Sequence, residues 1–419
     1  MRKIAFLDVL HLSSFRLIWL AQLFSQIGIN LTAFVLALRV YDLTHRNTAV
    51  SLLTLSIVVP AAIFGMMAGV LVDRYDKKVV LFLCNFGRAL IALGFLFTSE
   101  SLFMILFLAF LISFVTQFFI PAEGPMIVSL VPKNKLLAAN GLSVMTIFLT
   151  MLLGGLLAGP SLTVLGLSGT VIFIALMFLA AAFFVSLVPG QTIRSVLARR
   201  FHPEALGGAL TGAFNHGAGR RFRQEFMEGL DYLKNQPVVF FAVLLLVGSQ
   251  TVVASSSNLL PGYADRILHI SINDASVYLL GPAILGIISG ALFASQFGQR
   301  LSRRILVNLG IIFVGLAVIL LGLSRQAILA QIFLFALGFS NALIDVSANN
   351  LLQTKTHDQV RSRVYGVQTA LSGATFILPM ILAGSFSDLF GVDKVFLVAG
   401  GLILLFWLTT IRKYVARFG

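Results

Sequence analysis

Charge is what this sequence has least of: 11% of its 419 residues are Asp, Glu, Lys or Arg, against about a quarter in soluble domains. So few charges cannot wet a soluble surface of that size, which excludes a soluble enzyme. Cysteine is almost absent as well. Cys84 is the only one, and it leaves no pair for a disulfide or a thiolate metal site. There is no Gly-x-x-x-x-Gly-Lys-Ser/Thr phosphate loop for ATP, and no His-Glu-x-x-His pair or nucleophile elbow. The six His residues fall outside the centres of the apolar runs. The chain therefore reads as a non-enzyme that needs no cofactor. Arg2 and Lys3 are not followed by a short apolar core with a small-residue cleavage site, so no secretory signal peptide is expected.

What the sequence has in abundance is apolar length. Hydrophobic residues make up 58% of it, and the mean hydropathy is +0.97. Apolar runs of about 20 residues, enough to cross a hydrocarbon core of about 30 Å as a helix, recur from end to end. Reading them between charged and Pro/Gly breaks gives twelve spans, near 15–40, 48–72, 79–98, 101–121, 138–165, 169–188, 238–260, 272–297, 305–323, 327–350, 364–390 and 394–411. The expected fold class is all-α, with twelve transmembrane helices.

The net charge of +14 follows from how the loops are distributed. With both termini cytoplasmic, Arg39, Arg46, Arg266, Arg325 and Lys394 alone fall outside, Arg88 lies within the third span, and the rest of the 30 Lys and Arg residues are inside. That asymmetry is the positive-inside rule, so the basicity reads as topology and headgroup attraction, with no nucleic-acid partner.

Hydropathy collapses once, between Pro189 and Pro237. The expected organisation is a six-helix bundle over 1–188, a cytoplasmic linker over 189–237 and a second bundle over 238–419. Within the linker Phe222, Phe226, Leu230 and Leu233 recur at helical spacing opposite Arg221, Glu225, Glu228 and Asp231, a pattern that predicts an amphipathic helix lying on the leaflet. The halves look like copies. Asp73-Arg74-Tyr75-Asp76-Lys77-Lys78 corresponds to Gln299-Arg300-Leu301-Ser302-Arg303-Arg304, and Asn140-Gly141 to Tyr365-Gly366, at nearly the same offset. Two parallel six-helix repeats are the arrangement in which a substrate path lies between halves that rock against each other.

These residues resemble the major facilitator superfamily. Gly69-Val70-Leu71-Val72-Asp73-Arg74-Tyr75-Asp76-Lys77-Lys78 is similar to its signature loop, Gly-x-Leu-x-Asp-Arg-x-Gly-Arg-Lys, with Asp76 in place of the glycine. Pro121-Ala122, Leu130-Val131-Pro132, Leu136, Ala139-Asn140-Gly141, Leu352-Gln353-Thr354, Val360 to Gly366 and Glu228 to Leu233 resemble the drug:proton antiporter branch that includes macrolide efflux and enterobactin exporters. The resemblance implies export of a drug-like or siderophore-like amphiphile by alternating access, coupled to protons, by a single chain in a bacterial inner membrane. A lipid or lysophospholipid translocase not driven by protons is the alternative. The fourth span carries no Arg, and the first has Ile29-Asn30 where many relatives carry an acid.

Candidate residues follow from the cost of polarity in lipid. A charge near the bilayer centre costs at least about 2.5–3.5 kcal/mol, so one that remains should face a bundle interior or a wet cavity. Arg88, Asp345 and Glu123 are the candidates for proton coupling. Gln22, Gln26 and Asn30 repeat every four positions on the first span, and Asn341, Asp345, Asn349 and Gln353 do so on the tenth, so each set shares a face. With Ser113, Gln117, Gln250, Ser257, Asn258 and Gln368 they form the expected substrate pathway, or else interhelical hydrogen bonds. The 38 Phe and 10 Met offer an adaptable apolar wall. A cytoplasmic gate is expected from Asp73 pairing near Arg361 and Arg363, with Arg74, Lys77, Lys78, Arg300, Arg303 and Arg304 on headgroups or neighbouring carboxylates.

Overall fold

The computed structural model describes residues 9–73, 75–97, 101–132, 135–189, 217–297 and 303–411. Among them there is helix and no strand, as lipid requires of a chain that does not close a barrel. The first five helices are α1 (Ser13–Thr44), α2 (Asn47–Asp73), α3 (Lys77–Gly94), α4 (Leu102–Leu130) and a run over Leu136–Leu187. That last run would be about 80 Å long if straight, more than twice a hydrocarbon core. It is not straight: Gly166 has φ 65° and ψ 179°, a conformation almost confined to glycine. The run is therefore two helices, α5 (136–165) and α6 (167–187).

After these come α7 (Gly217–Asn235), α8 (Pro237–Tyr263), α9 (Gly281–Phe297), α10 (Arg303–Leu323), α11 (Ala327–Lys355), α12 (Asp358–Phe390) and α13 (Val392–Phe406). Short turns over Ile272–Ala275 and Ser276–Leu280 lead into α9. Among the described residues, eleven segments can span a membrane by length and hydropathy when Met145–Leu187 is counted as one; the break at Gly166 makes them twelve. The spans read from the sequence coincide with these helices, with two differences. α4 continues through Pro121 and Pro125 to Leu130 rather than ending at Pro121, since membrane helices tolerate proline where neighbours re-satisfy the freed carbonyl. α12 begins at Asp358, a turn and a half earlier than hydropathy suggests, because its first turns are polar.

The chain divides into two compact units, Met1–Leu43 with Leu53–Asn215, and Thr44–Leu52 with His216–Gly419. In unit 1, Phe15, Ile18, Leu81, Phe119 and Val185 form a core from α1, α3, α4 and α6. In unit 2 the core runs through Phe241, Tyr263, Leu279, Val318, Leu352 and Phe396. Its tightest approach is α9 on α11. A Cβ on Gly286, Gly290 or Gly338 would strike the backbone carbonyl of Phe335, Phe339 or Ala283, the small-residue packing that lets helices close in without a hydrophobic drive. One more mark of duplication appears in the backbone. The turn after α1 and the turn after α8 each carry a left-handed histidine, His45 (φ 48°) and His269 (φ 53°).

Gly166 offers open space to a Cβ, so Gly166→Ala is expected to cost only backbone strain, about 1–3 kcal/mol. Gly87→Ala, in the middle of α3 and equally open, is expected to be neutral or stabilising. Thermal unfolding of both variants in detergent, followed by tryptophan fluorescence, checks the difference.

Candidate functional site

In unit 1, α3 carries Arg88 at 0% exposure. Its Nη1 donates to Ser25 Oγ at 2.9 Å and to Asn85 Oδ1 at 3.4 Å. The guanidinium lies over the Phe119 ring at 4.6 Å and 6.0 Å from that of Phe178, a placement that lets ring faces carry part of the charge. Nε and Nη2 have no protein partner, nor does Oε1 of the partly buried Glu123. Glu123 acts on Arg88 through space as an opposite charge. Two of the three charges expected to matter for coupling thus belong to the same interior.

The polar stripe of α1 turns toward α5. Gln22 Nε2 donates to Ser143 O at 3.4 Å, Asn30 Nδ2 to Thr150 Oγ1 at 3.4 Å, and Trp19 Nε1 to Thr146 Oγ1 at 2.8 Å. Gly154 packs directly on Asn30. Gln22 and Asn30 are thereby a seam between two helices, while Gln26 is partly exposed. Similarly, Ser113 donates to Ile57 O of α2, and Gln117 Nε2 to Ser113 O at 3.0 Å.

The described part of the signature loop is tied to helix ends. Asp76, which stands where the family pattern has glycine, caps α3 by accepting from Lys78 N at 2.9 Å and Val79 N at 3.2 Å. Lys77 Nζ donates to Val72 O at 2.6 Å in the last turn of α2, and Lys78 Nζ to Val188 O at 2.6 Å at the end of α6. These lysines bind helix C-termini, where backbone carbonyls and the helix dipole attract a cation. Arg74 and Arg300 lie outside the described residues, as do the side chains of Asp73, Arg303, Arg304 and Arg361.

In unit 2, Asp345 is partly buried on α11, and its side-chain donors among the described residues are neutral. Ser249 Oγ of α8 donates to Oδ1, and Asn341 Nδ2 to Oδ2 at 3.4 Å. Asn349 Nδ2 reaches back to the Asp345 carbonyl at 3.0 Å. The stripe read from the sequence is thus knitted along its own helix. Gln368 bonds Ser372 on α12 at 3.3 Å. On α8, Gln250 and Ser257 are exposed and Asn258 is buried, so those three do not share one surface.

Two contacts of unit 2 had no sequence signal. Asp388, near the end of α12, accepts from Asn47 N at 3.0 Å, Thr48 N at 2.9 Å and Thr48 Oγ1 at 2.7 Å, capping the first turn of α2. Arg266 pairs with it at 3.4 Å, and Asn47 Nδ2 donates to Ser387 Oγ at 3.0 Å. Asn47-Thr48 looks like a self-sufficient helix start, and nothing local announces a cap 340 residues away. The second contact is the linker helix. α7 carries Phe226, Leu230 and Leu233 onto the core of unit 2, with Leu233 fully buried. Glu228 pairs with Arg363 at 2.7 Å, and Gly229 packs on the Arg363 carbonyl. The amphipathic helix exists, but protein covers this part of its apolar face where a leaflet was expected. The described partner of Arg363 is Glu228, and the side chain of Asp73 lies outside the described residues.

Comparison with known proteins places this architecture. The Major Facilitator Superfamily profile matches residues 18–379 and 255–416. The chain belongs to the major facilitator superfamily. It is similar to macrolide efflux protein A of Streptococcus pyogenes, 24% identical over 407 residues that cover 93% of each chain. It is also similar to the enterobactin exporter EntS of Escherichia coli O1:K1 / APEC, 25% identical over 85% of this chain and 81% of that one. Among solved structures, a bacterial homologue of the human lysosomal transporter Spinster superposes with a TM-score of 0.71 at 13% identity, covering 97% of this chain and 96% of that one. This superfamily member is therefore an integral membrane transporter with efflux-type relatives, and not an enzyme.

Removing the distant cap isolates its contribution. Asp388→Ala is expected to lose about 1–2 kcal/mol of stability, and Asp388→Asn, which keeps an acceptor oxygen for the α2 amides, to lose less than half of that. Thermal unfolding of the purified transporter distinguishes them.

Proposed function

We propose that this transporter exports a hydrophobic or amphiphilic small molecule, of drug or siderophore type, by alternating access in exchange for protons. Asp345 is the coupling carboxylate. The observation that carries this reading is the chemistry around Asp345: its side chain is held by a serine and an asparagine, with no cation among the described residues bonded to it. A carboxylate so placed can gain or lose a proton without dismantling an ion pair, and a membrane-embedded acid is a functional group by default. Arg88 stands as a fixed positive charge, since guanidinium is protonated throughout the physiological range, and tunes the charge of the pathway together with Glu123. The names of the macrolide and enterobactin relatives support an amphiphilic cargo and outward movement.

The remaining assignments belong to the same proposal. One chain suffices for the pathway, its partners are membrane lipids, protons and the amphiphile, and the membrane is a bacterial inner membrane with both termini in the cytoplasm. Gln26, Gln250, Ser257 and Gln368, which are partly or fully exposed, line the path. Gln22, Asn30, Ser113, Gln117, Asn258, Asn341 and Asn349 hold the helices that form it.

Flux of a fluorescent cationic dye in proteoliposomes, with and without an imposed pH gradient, tests the reading. The gradient is expected to drive dye against its concentration difference. Asp345→Asn is expected to lower that uphill movement at least tenfold while leaving downhill exchange within about twofold. Dye movement indifferent to the gradient, or an unchanged Asp345→Asn, would remove protons or this carboxylate from the mechanism.

A further inference from the structure

Arg88 uses only part of its guanidinium. Nη1 serves Ser25 and Asn85, while Nε and Nη2 are buried with no acceptor. Those two atoms form one edge of the group, the fork that takes a carboxylate through two parallel hydrogen bonds. Glu123 of α4 is incomplete in the complementary sense: its Oε1 is buried with no donor, and its charge acts on Arg88 through space. The two side chains nevertheless share no hydrogen bond here. Arg88 sits instead over Phe119, whose ring centroid is 4.6 Å from the guanidinium carbon. Phe119 and Glu123 are four residues apart on α4, so they stand on the same face one turn, roughly 6 Å, from each other.

Arg88 already reaches in the direction of the acid. Helical side chains lean toward the N-terminus of their helix, and the bond to Asn85, three residues back, shows Arg88 doing so. Consecutive spans run antiparallel, so the N-terminal end of α3 lies at the C-terminal end of α4, the side of Phe119 on which Glu123 stands. Between the two residues α4 has its weakest internal support. Pro121 and Pro125 lack the N–H groups that would bond the carbonyls of Gln117 and Pro121, and Gly124 has open space where a Cβ would be. Gaps of this kind in the helix ladder are where helices bend.

We infer that Arg88 has two seats on α4: the face of Phe119, occupied here, and a two-bond ion pair with Glu123, taken when α4 bends at Pro121–Pro125. Neither seat leaves the cation bare, and only the second fills the fork, so a small difference in helix packing decides between them. Interfaces with two discrete arrangements are what convert small shifts into a change of state. The inference deepens the alternating-access reading and rests on it for the part the seats play in transport; the seats themselves concern unit 1 alone and do not depend on what Asp345 does.

The full chain in lipid nanodiscs, grown on isotopically labelled arginine and read by proton–nitrogen NMR, reports the seat directly. The Arg88 Nε–H signal is the one that Arg88→Lys removes, and its burial protects it from exchange with water. Phe119 moves that proton upfield by its ring current and a carboxylate moves it downfield, so the wild type is expected to give two signals, or one averaged signal between them. Glu123→Gln is expected to abolish the downfield signal or move the averaged one upfield, and Glu123→Asp to keep it. An Arg88 signal that stays in place in a folded Glu123→Gln overturns the two seats. In the dye assay Glu123→Gln is expected to slow uphill and downhill movement alike by about tenfold, as loss of a charged hydrogen bond implies, whereas failure of proton coupling at Asp345 shows in uphill movement alone. Unchanged downhill exchange in Glu123→Gln overturns the place of the second seat in the transport cycle.

Discussion

Hydrocarbon offers no hydrogen bonds, and in this chain many polar side chains placed in a span answer to that constraint before they answer to any function. Hydroxyls satisfy it most cheaply, by bonding a carbonyl one turn back: Thr32 to Gly28, Thr116 to Ile112, Thr150 to Thr146, Ser249 to Leu246. Amides reach further, so Gln22 and Asn30 stitch α1 to α5. Charges need most, and they are handled by different means in the two units. Arg88 is held by a hydroxyl, an amide oxygen and two aromatic faces; Asp345 is held by a hydroxyl and an amide nitrogen. Polar partners are therefore the scaffold on which the helices keep their register, and a site for cargo is built from whatever polarity that scaffold leaves over.

The same constraint explains what the sequence shows and what it hides. Spans are legible because every backbone group must be paired within its own segment, which turns hydropathy into geometry. The helix boundary at 165–169 was readable from Gly166-Leu167-Ser168-Gly169, while the continuation of α4 past Pro121 was not, because proline in lipid depends on neighbours that hydropathy does not see. Four-residue spacing identified a shared face for Gln22, Gln26 and Asn30. It left open whether that face meets water or another helix, and Ser143 and Thr150 of α5 answer for two of the three. Asp388 capping Asn47 and Thr48 lay beyond reach, since its meaning comes from a contact across most of the chain.

The linker helix shows how a pattern specifies a need without naming who meets it. An apolar stripe opposite charges must be covered, and a leaflet or a protein surface covers it equally well in thermodynamic terms. What decides is Gly229, which lets α7 approach the Arg363 carbonyl, and Glu228, which reaches the Arg363 side chain. Tyr232 extends the same contact, its hydroxyl accepting from His357 N at 3.4 Å. A linker fastened at the turn between α11 and α12 moves with unit 2.

The departures from the family pattern then acquire physical content. Glycine in the signature loop permits a turn; Asp76 instead caps α3, worth about 0.5–2 kcal/mol over alanine, and so fixes where that helix begins. Fixing α3 fixes Arg88, three turns on, beneath Phe119. Guanidinium is protonated throughout the physiological range, so Arg88 keeps its charge. Glu123 shares its interior with a permanent cation, whereas no cation among the described residues is bonded to Asp345. Of the two acids the second is the one held by hydrogen bonds from two helices, α8 through Ser249 and α11 through Asn341. Any rearrangement that separates α8 from α11 withdraws the serine from the carboxylate, and that withdrawal is a sufficient physical link between helix motion and proton affinity.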